Sequence, residues 1–188
     1  MSGTDTQNTI LDAVQSVIVR DGVQGTSMRQ VAQEADVSLG LISYHFDDKE
    51  RLIFATFERA SDEIRAASTS AADAVDDPDD KVRAFLRGSF TEEFINGDYL
   101  RLRVSLWAVA LTEPELAKVD AGYYRRYEET LAAYVSEARP KLTRQDIDAR
   151  CENVIALTNG LWLDWARIQN DDALERGLQL AEEIALAD

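Results

Sequence analysis

Ser38, Ser43, Tyr44 and His45 offer four hydrogen-bonding tips within eight residues, and the chemistry open to them is contact with DNA. They lie in the stretch TSMRQVAQEADVSLGLISYHFDDK, residues 26–49, which reads as two short helices joined by a tight turn. That unit lays its second helix in the major groove. Gly40 has no side chain, so helix backbone can come close to the duplex, and its cost in a helix of up to about 1 kcal/mol relative to Ala argues for such a reason. Leu39 shares the exposed side. Lys49, at the start of the next helix, is placed to reach a phosphate. Thr26 and Ser27 add hydroxyls and backbone amides at a helix N-terminus, a second phosphate site. Arg29 is either a further phosphate contact or an ordinary solvated charge, as is Arg51. Ser27 and Ser38 would cap helices with or without DNA. Tyr44 reads as exposed because Ile42 and Phe46 already supply the core anchors. His45 is the only histidine, so it forms neither a metal site nor a catalytic pair, and a phosphate or base contact is the better reading.

These side chains need a helical frame, and the whole sequence supplies one. Three prolines and nine glycines fall mostly at plausible helix ends, and no alternating strand pattern persists. The expected fold class is all-α with about nine helices: a DNA-binding domain over residues 1–50 and a helical ligand-binding and dimerisation domain over 51–188. Ile10, Ala13, Val14, Val17 and Ile18 form the first stripe, stopped by Gly22. Ser27 with Gln30 opens helix two, Ser38 opens helix three, and Asp47 with Glu50 opens a long fourth helix ending near Ala72. Asp36 and Val37 make the turn between helices two and three. The acidic segment 73–80 reads as a linker, its Pro78 suits a first helical turn, and helix five runs to about Asn96, where Gly97 stops it. Helix six covers 100–111, Thr112 with Glu115 opens helix seven, Thr143 opens helix eight and Asn170 opens helix nine.

The totals bound the rest. The chain has 188 residues, a hydrophobic fraction of 45% and a net charge of −15. No apolar run is long enough to span a membrane, and no secretion signal is read at the N-terminus, so a cytoplasmic protein is expected. One cysteine, Cys151, forms no internal disulfide and reads as an inert core residue. DNA affinity depends on neutralising phosphates, yet residues 1–52 hold four bases (Arg20, Arg29, Lys49, Arg51) against eight acids. The 16 arginines and 4 lysines against 35 acids suit a salt-rich cytoplasm or GC-rich coding alike. No metal-ligand spacing and no phosphate-cradling glycine loop occurs, so no cofactor, no metal and no enzymatic activity is expected.

The segment from about residue 9 to 60, through TSMRQVAQEADVS, GLISYHF and DDKERLIFATF, resembles the TetR/AcrR family of transcriptional regulators. The resemblance implies an all-helical homodimer in which a small-molecule effector changes the separation of two recognition helices. GLISYHF, the surroundings of Trp107, YYRRYEETL and NGLW (159–162) are similar to the BetI-type branch, whose named member responds to choline. Three positions depart from the family pattern. Asp36 replaces a turn glycine, Leu39 replaces a polar or basic residue, and Ser43 replaces a frequent tyrosine.

Two expectations follow for the C-terminal part. Ile147, Cys151, Val154, Thr158, Leu161 and Trp165 on helix eight, with Leu174, Leu178, Ala181 and Ala185 on helix nine, form apolar stripes. They suit a four-helix interface with a second copy over about 143–187, or else an intrachain core. On a helix running past Phe90, Glu93 falls on a stripe that should be buried, as does Arg103 on helix six. They would pair with each other or serve a ligand. Trp107, Tyr123, Tyr127, Asn159 and Trp162, with Trp165, could line the same space. Aromatic faces plus a carboxylate suit an organic cation such as a quaternary ammonium or a polyamine, and ordinary core packing explains the rings as well. An anionic effector on Arg101 or Arg103 is the other option. The expected function is a ligand-responsive DNA-binding regulator, most often a repressor on a double-stranded operator. The alternative is an interaction protein of the same fold that has lost DNA binding.

Overall fold

The computed structural model describes residues 3–187, and these form nine α-helices with no strand among them. The helices are α1 (Gly3–Gly25), α2 (Met28–Glu34), α3 (Leu39–His45), α4 (Lys49–Asp73), α5 (Pro78–Gly88), α6 (Gly97–Ala110), α7 (Pro114–Ala138), α8 (Arg144–Ile168) and α9 (Asp171–Leu186). Among the described residues, no helix is long and apolar enough to cross a membrane. The chain packs as two compact units. One is the chain up to Ser61 with Arg101–Val119, and the other is Asp62–Leu100 with the chain from Asp120 on. The unit that contains the helix-turn-helix therefore takes in more than residues 1–50.

In the first unit α1 packs on α2 and α2 on α3. The α1 stripe of Ile10, Val14, Val17 and Ile18 is fully buried. Gly22 breaks the regular helix with φ 73°, a conformation only glycine adopts cheaply, and a last turn follows to Gly25. At the start of α4 the cap is Asp48, whose Oδ1 accepts from the Arg51 amide at 2.8 Å. The expected cap was Asp47; the register is one residue later.

The second unit buries Val82, Phe85 and Leu86 of α5, Leu131 and Val135 of α7, Ile147, Cys151 and Val154 of α8, and Ala181 and Ala185 of α9 in one cluster. Asp77 caps α5 and Pro78 occupies its first turn. The expected continuation of this helix to Asn96 is wrong. It ends at Gly88, where the Phe90 amide turns back to the Arg87 carbonyl at 2.8 Å, and α5 there comes so close to α4 that a Cβ on Gly88 would lie 2.6 Å from the Ser68 Cα. Beyond it the chain turns on the Thr91 carbonyl, which accepts from the amides of Phe94 and Ile95. Asn96 then accepts from the Tyr99 amide and opens α6, so Gly97 starts a helix and does not stop one. Thr112 does not open α7. Its hydroxyl donates back to the Val109 carbonyl, and Pro114 is the first helical residue.

Four of the α8 residues expected to face a second copy, Ile147, Cys151, Val154 and Thr158, are buried within the protomer, as are Leu178, Ala181 and Ala185 of α9. Their apolar area is satisfied by α9, α5 and α7 inside one chain. Arg87 ties α5 to α9 with paired bonds to Glu175 (2.8 and 2.9 Å) and a third to Glu182 (2.6 Å). The Arg87 guanidinium holds the Glu175 carboxyl below its ordinary range.

Candidate nucleic-acid interface and effector cleft

Local hydrogen bonds aim the second helix of the turn. Ser27 Oγ accepts from the Gln30 amide and donates to Gln30 Oε1 at 2.7 Å, which starts α2. Asp36 takes φ 52°, and the Val37 amide returns to the Ala32 carbonyl at 3.0 Å. Asp enters this left-handed region more readily than most residues, so the turn survives without glycine. Ser38 then accepts from the Leu41 amide and caps α3. Ile42 and Phe46 point inward. Leu39, Gly40, Ser43 and Tyr44 are exposed, Tyr44 to 81%, and their spacing puts them on one face.

The remaining contact candidates divide. Arg29 is exposed and has no ion pair among the described residues, as is true of Arg51. His45 is half-buried, its ring edge-on to Tyr44 at 5.1 Å. Thr26 is only 2% exposed, and its hydroxyl donates to the Gly22 carbonyl at 2.9 Å. That hydroxyl is therefore a brace for the α1 break, and the expected phosphate contact through it does not fit. Lys49 is half-buried and donates to the Gln24 carbonyl at 3.3 Å. Arg20 is engaged with Asp21 and Glu34. Nothing in the spacing of the sequence flagged Gln24 as the partner of Lys49, because the two lie 25 residues apart.

The ligand candidates are divided between the two compact units. In the first unit Arg103 is 8% exposed, donates to Ser61 Oγ at 3.1 Å, and lies over the rings of Phe57 (5.6 Å) and Trp107 (5.1 Å). A guanidinium on the Trp107 face leaves no place there for a ligand cation. In the second unit Phe90 meets Trp162 at 5.6 Å and Tyr99 meets Trp162 at 5.9 Å. Tyr127 packs on Phe85 at 4.7 Å against the core cluster, and burial pushes its hydroxyl pKa up. The Tyr123 hydroxyl donates to Asp62 at 3.0 Å, and Arg126 covers its ring. Asn159 is exposed. Glu93 is exposed as well, because the helix that would have buried it ends at Gly88. The pairing of Glu93 with Arg103 was expected on that longer helix.

Beside Phe90 the second unit opens a cleft of about 530 Å³ lined also by Trp165, Glu92, Asp171 and Asp172. The Trp165 indole donates to Asp171 Oδ1 at 2.7 Å, which fixes the ring against the first turn of α9. Glu92 and the two aspartates were missed. For the aspartates the available signal was the Asn170 cap five residues after Trp165, with Asp171 and Asp172 in the first turn that follows it. Cys151 sits in the core cluster, and burial pushes its thiol up to about 12, so it is inert as a thiolate.

Residues 10–56 match the family model of bacterial regulatory proteins of the tetR family. Residues 78–186 match the C-terminal model of BetI-type transcriptional repressors. The chain belongs to the BetI-type TetR family. The HTH-type transcriptional regulator BetI of Paraburkholderia xenovorans LB400 is 30% identical over 155 residues, covering 82% of this chain and 78% of that protein. The BetI regulator of Burkholderia mallei NCTC 10229 is 28% identical over 175 residues, 93% of this chain and 88% of the relative. In fold, a TetR transcription regulator from Haloarcula marismortui ATCC 43049 superposes with a TM-score of 0.84 at 16% identity, covering 97% of each chain. TetR-family members are DNA-binding transcriptional regulators and not enzymes, so the exposed face of α3 is that of a regulator's helix-turn-helix.

Proposed function

We propose that this BetI-type TetR regulator is a repressor that works as a dimer, holds a double-stranded operator through α3 of each protomer, and releases it when a small molecule binds. The observation that supports this is that α3 leaves Leu39, Gly40, Ser43 and Tyr44 exposed while Ile42 and Phe46 are buried in the core. DNA contacts fall within residues 1–50, and effector and dimer contacts within 51–188. Helices α4, α6 and α7 each carry residues of both compact units. The effector then acts by preferring the form whose two α3 helices no longer match half-sites about 34–36 Å apart, or a multiple of that.

The second copy docks on α8 and α9, but on a different face from the buried stripes. Ala149, Ala156, Gly160 and Leu163 of α8 and Leu180 of α9 are exposed and mostly small, which suits close helix approach. With Arg20 and Lys49 engaged inside the protomer, Arg29 and Arg51 are the readiest phosphate partners. Four such contacts per dimer give a slope of log affinity on log salt of about −4, against about −10 for a strongly basic repressor. Fluorescence anisotropy with the gene's own upstream duplex across a salt series measures this, and a slope near the steeper value contradicts it. The excess of acids over bases in residues 1–52 favours the second reading, a regulator fold kept for protein interaction alone. Failure to retain that duplex even at low salt selects this second reading.

The effector class we propose is an organic cation, taken into the Phe90–Trp165 cleft, whose lining also holds Glu92, Asp171 and Asp172, and whose one lining arginine, Arg87, is already engaged by Glu175 and Glu182. Calorimetry with choline, spermidine and acetate separates the options. Heat with either cation, reduced at least about tenfold in affinity by Trp165→Ala, is expected, since a desolvated cation–π contact contributes about 2 kcal/mol. Heat only with acetate moves the effector to an arginine site.

A further inference from the structure

The recognition helix carries no side chain able to form the paired hydrogen bonds that single out guanine or adenine. From Leu39 to His45 it reads LGLISYH, without Arg, Lys, Asn, Gln, Asp or Glu. Arg or Lys on guanine and Asn or Gln on adenine are the bidentate readers, whereas a Ser hydroxyl accepts several bases. Ser43 and Tyr44 therefore hold the duplex with little choice among base pairs. The N-terminal residues of a recognition helix are those that meet base edges. Here that position holds Leu39, a large apolar side chain left 41% exposed. Its neighbour Gly40 presents no side chain, and even a Cβ there would meet only Ser38 Oγ, at 3.9 Å, so the groove floor can come up to the Leu39 methyls. The one apolar group that the major groove offers is the C5 methyl of thymine.

We infer that Leu39 is the specificity-determining residue of this regulator and that it reads a thymine methyl in each operator half-site. The inference rests on the operator-binding reading above. Leu39 is 41% exposed, one turn from the buried Ile42, so melting curves of Leu39→Ala and Leu39→Arg check that each variant keeps the native fold.

Duplexes selected by the full-length protein from a random pool supply the probe. Each thymine of the selected half-site is then replaced in turn by uracil, which removes only the methyl. At one position the native protein is expected to bind about 3- to 10-fold more weakly, near the value of one buried methyl group. Leu39→Ala is expected to bind the thymine duplex weaker by the same factor, to be indifferent to uracil at that position, and to keep the native salt slope. Leu39→Arg is expected to shift the selected base toward guanine. Sequence-specific binding that is indifferent to uracil at every position overturns the inference and leaves the operator-binding reading standing. A pool from which no sequence emerges overturns both.

Discussion

Replacing Ile42 by alanine is expected to abolish operator binding while most of the chain stays folded. Ile42 is fully buried, whereas Leu39, Ser43 and Tyr44 of the same helix are exposed. Truncating a buried Ile to Ala costs about 2–5 kcal/mol, part of it from the cavity left behind. Helix α3 spans seven residues, too few to persist in water on propensity alone, so it exists because Ile42 and Phe46 hold it down. The cavity therefore loosens the element that carries the DNA-facing side chains. The core cluster of the second unit, built around Phe85 and Val154, contains no part of α3. Hydrogen exchange should show amides of residues 39–46 losing protection, with those of α8 unchanged, and anisotropy should show affinity down by well over about tenfold, as a loss of more than 1.4 kcal/mol requires. Retained protection across α3 together with native affinity would mean that the helix is held by something other than its buried face.

The same locality explains which parts of the molecule were legible in the sequence. Ser27, Ser38, Thr143 and Asn170 all cap the helices expected of them, because a cap involves a side chain and an amide only two or three residues on. The turn at Asp36 was legible for the same reason. The end of α5 was not: nothing in the local spacing marks Gly88 as its last residue, and the close approach that demands a glycine there comes from Ser68, twenty residues earlier on another helix. That one misplaced boundary carried Glu93 onto a buried stripe it does not occupy and hid Glu92 as a cleft residue. Helix α8 failed differently. It has an apolar face at Ile147, Cys151 and Val154 and a small-residue face at Ala149, Ala156 and Gly160, and periodicity alone does not say which meets its own chain. Lys49 and Arg103 show the same limit on the side of charge. A basic residue in sequence is a free cation until the fold gives it the Gln24 carbonyl or the Phe57 and Trp107 rings.

Two helical glycines, Gly88 at the end of α5 and Gly160 inside α8, should respond to alanine with opposite signs. At Gly88 the added Cβ would sit 2.6 Å from the Ser68 Cα and 3.0 Å from the Ala67 carbonyl oxygen. Both neighbours are backbone, so relief requires α4 and α5 to part, and overpacking of this kind costs about 1–3 kcal/mol. At Gly160 a Cβ meets nothing within 4 Å of the protomer. Gly160 lies inside the 25-residue α8, where alanine is favoured over glycine by about 0.8–1 kcal/mol. Urea unfolding midpoints should therefore fall for Gly88→Ala and rise for Gly160→Ala when both are measured on dissociated protein. A dimer built through this face of α8 would reverse the second sign. If the partner's helices pack on the face of Ala149, Ala156 and Gly160, a methyl there crowds them, and sedimentation should show Gly160→Ala dissociating at higher concentration than the native chain. A variant that is both more stable and equally dimeric would move the interface off this face of α8 and leave its row of small residues without a partner.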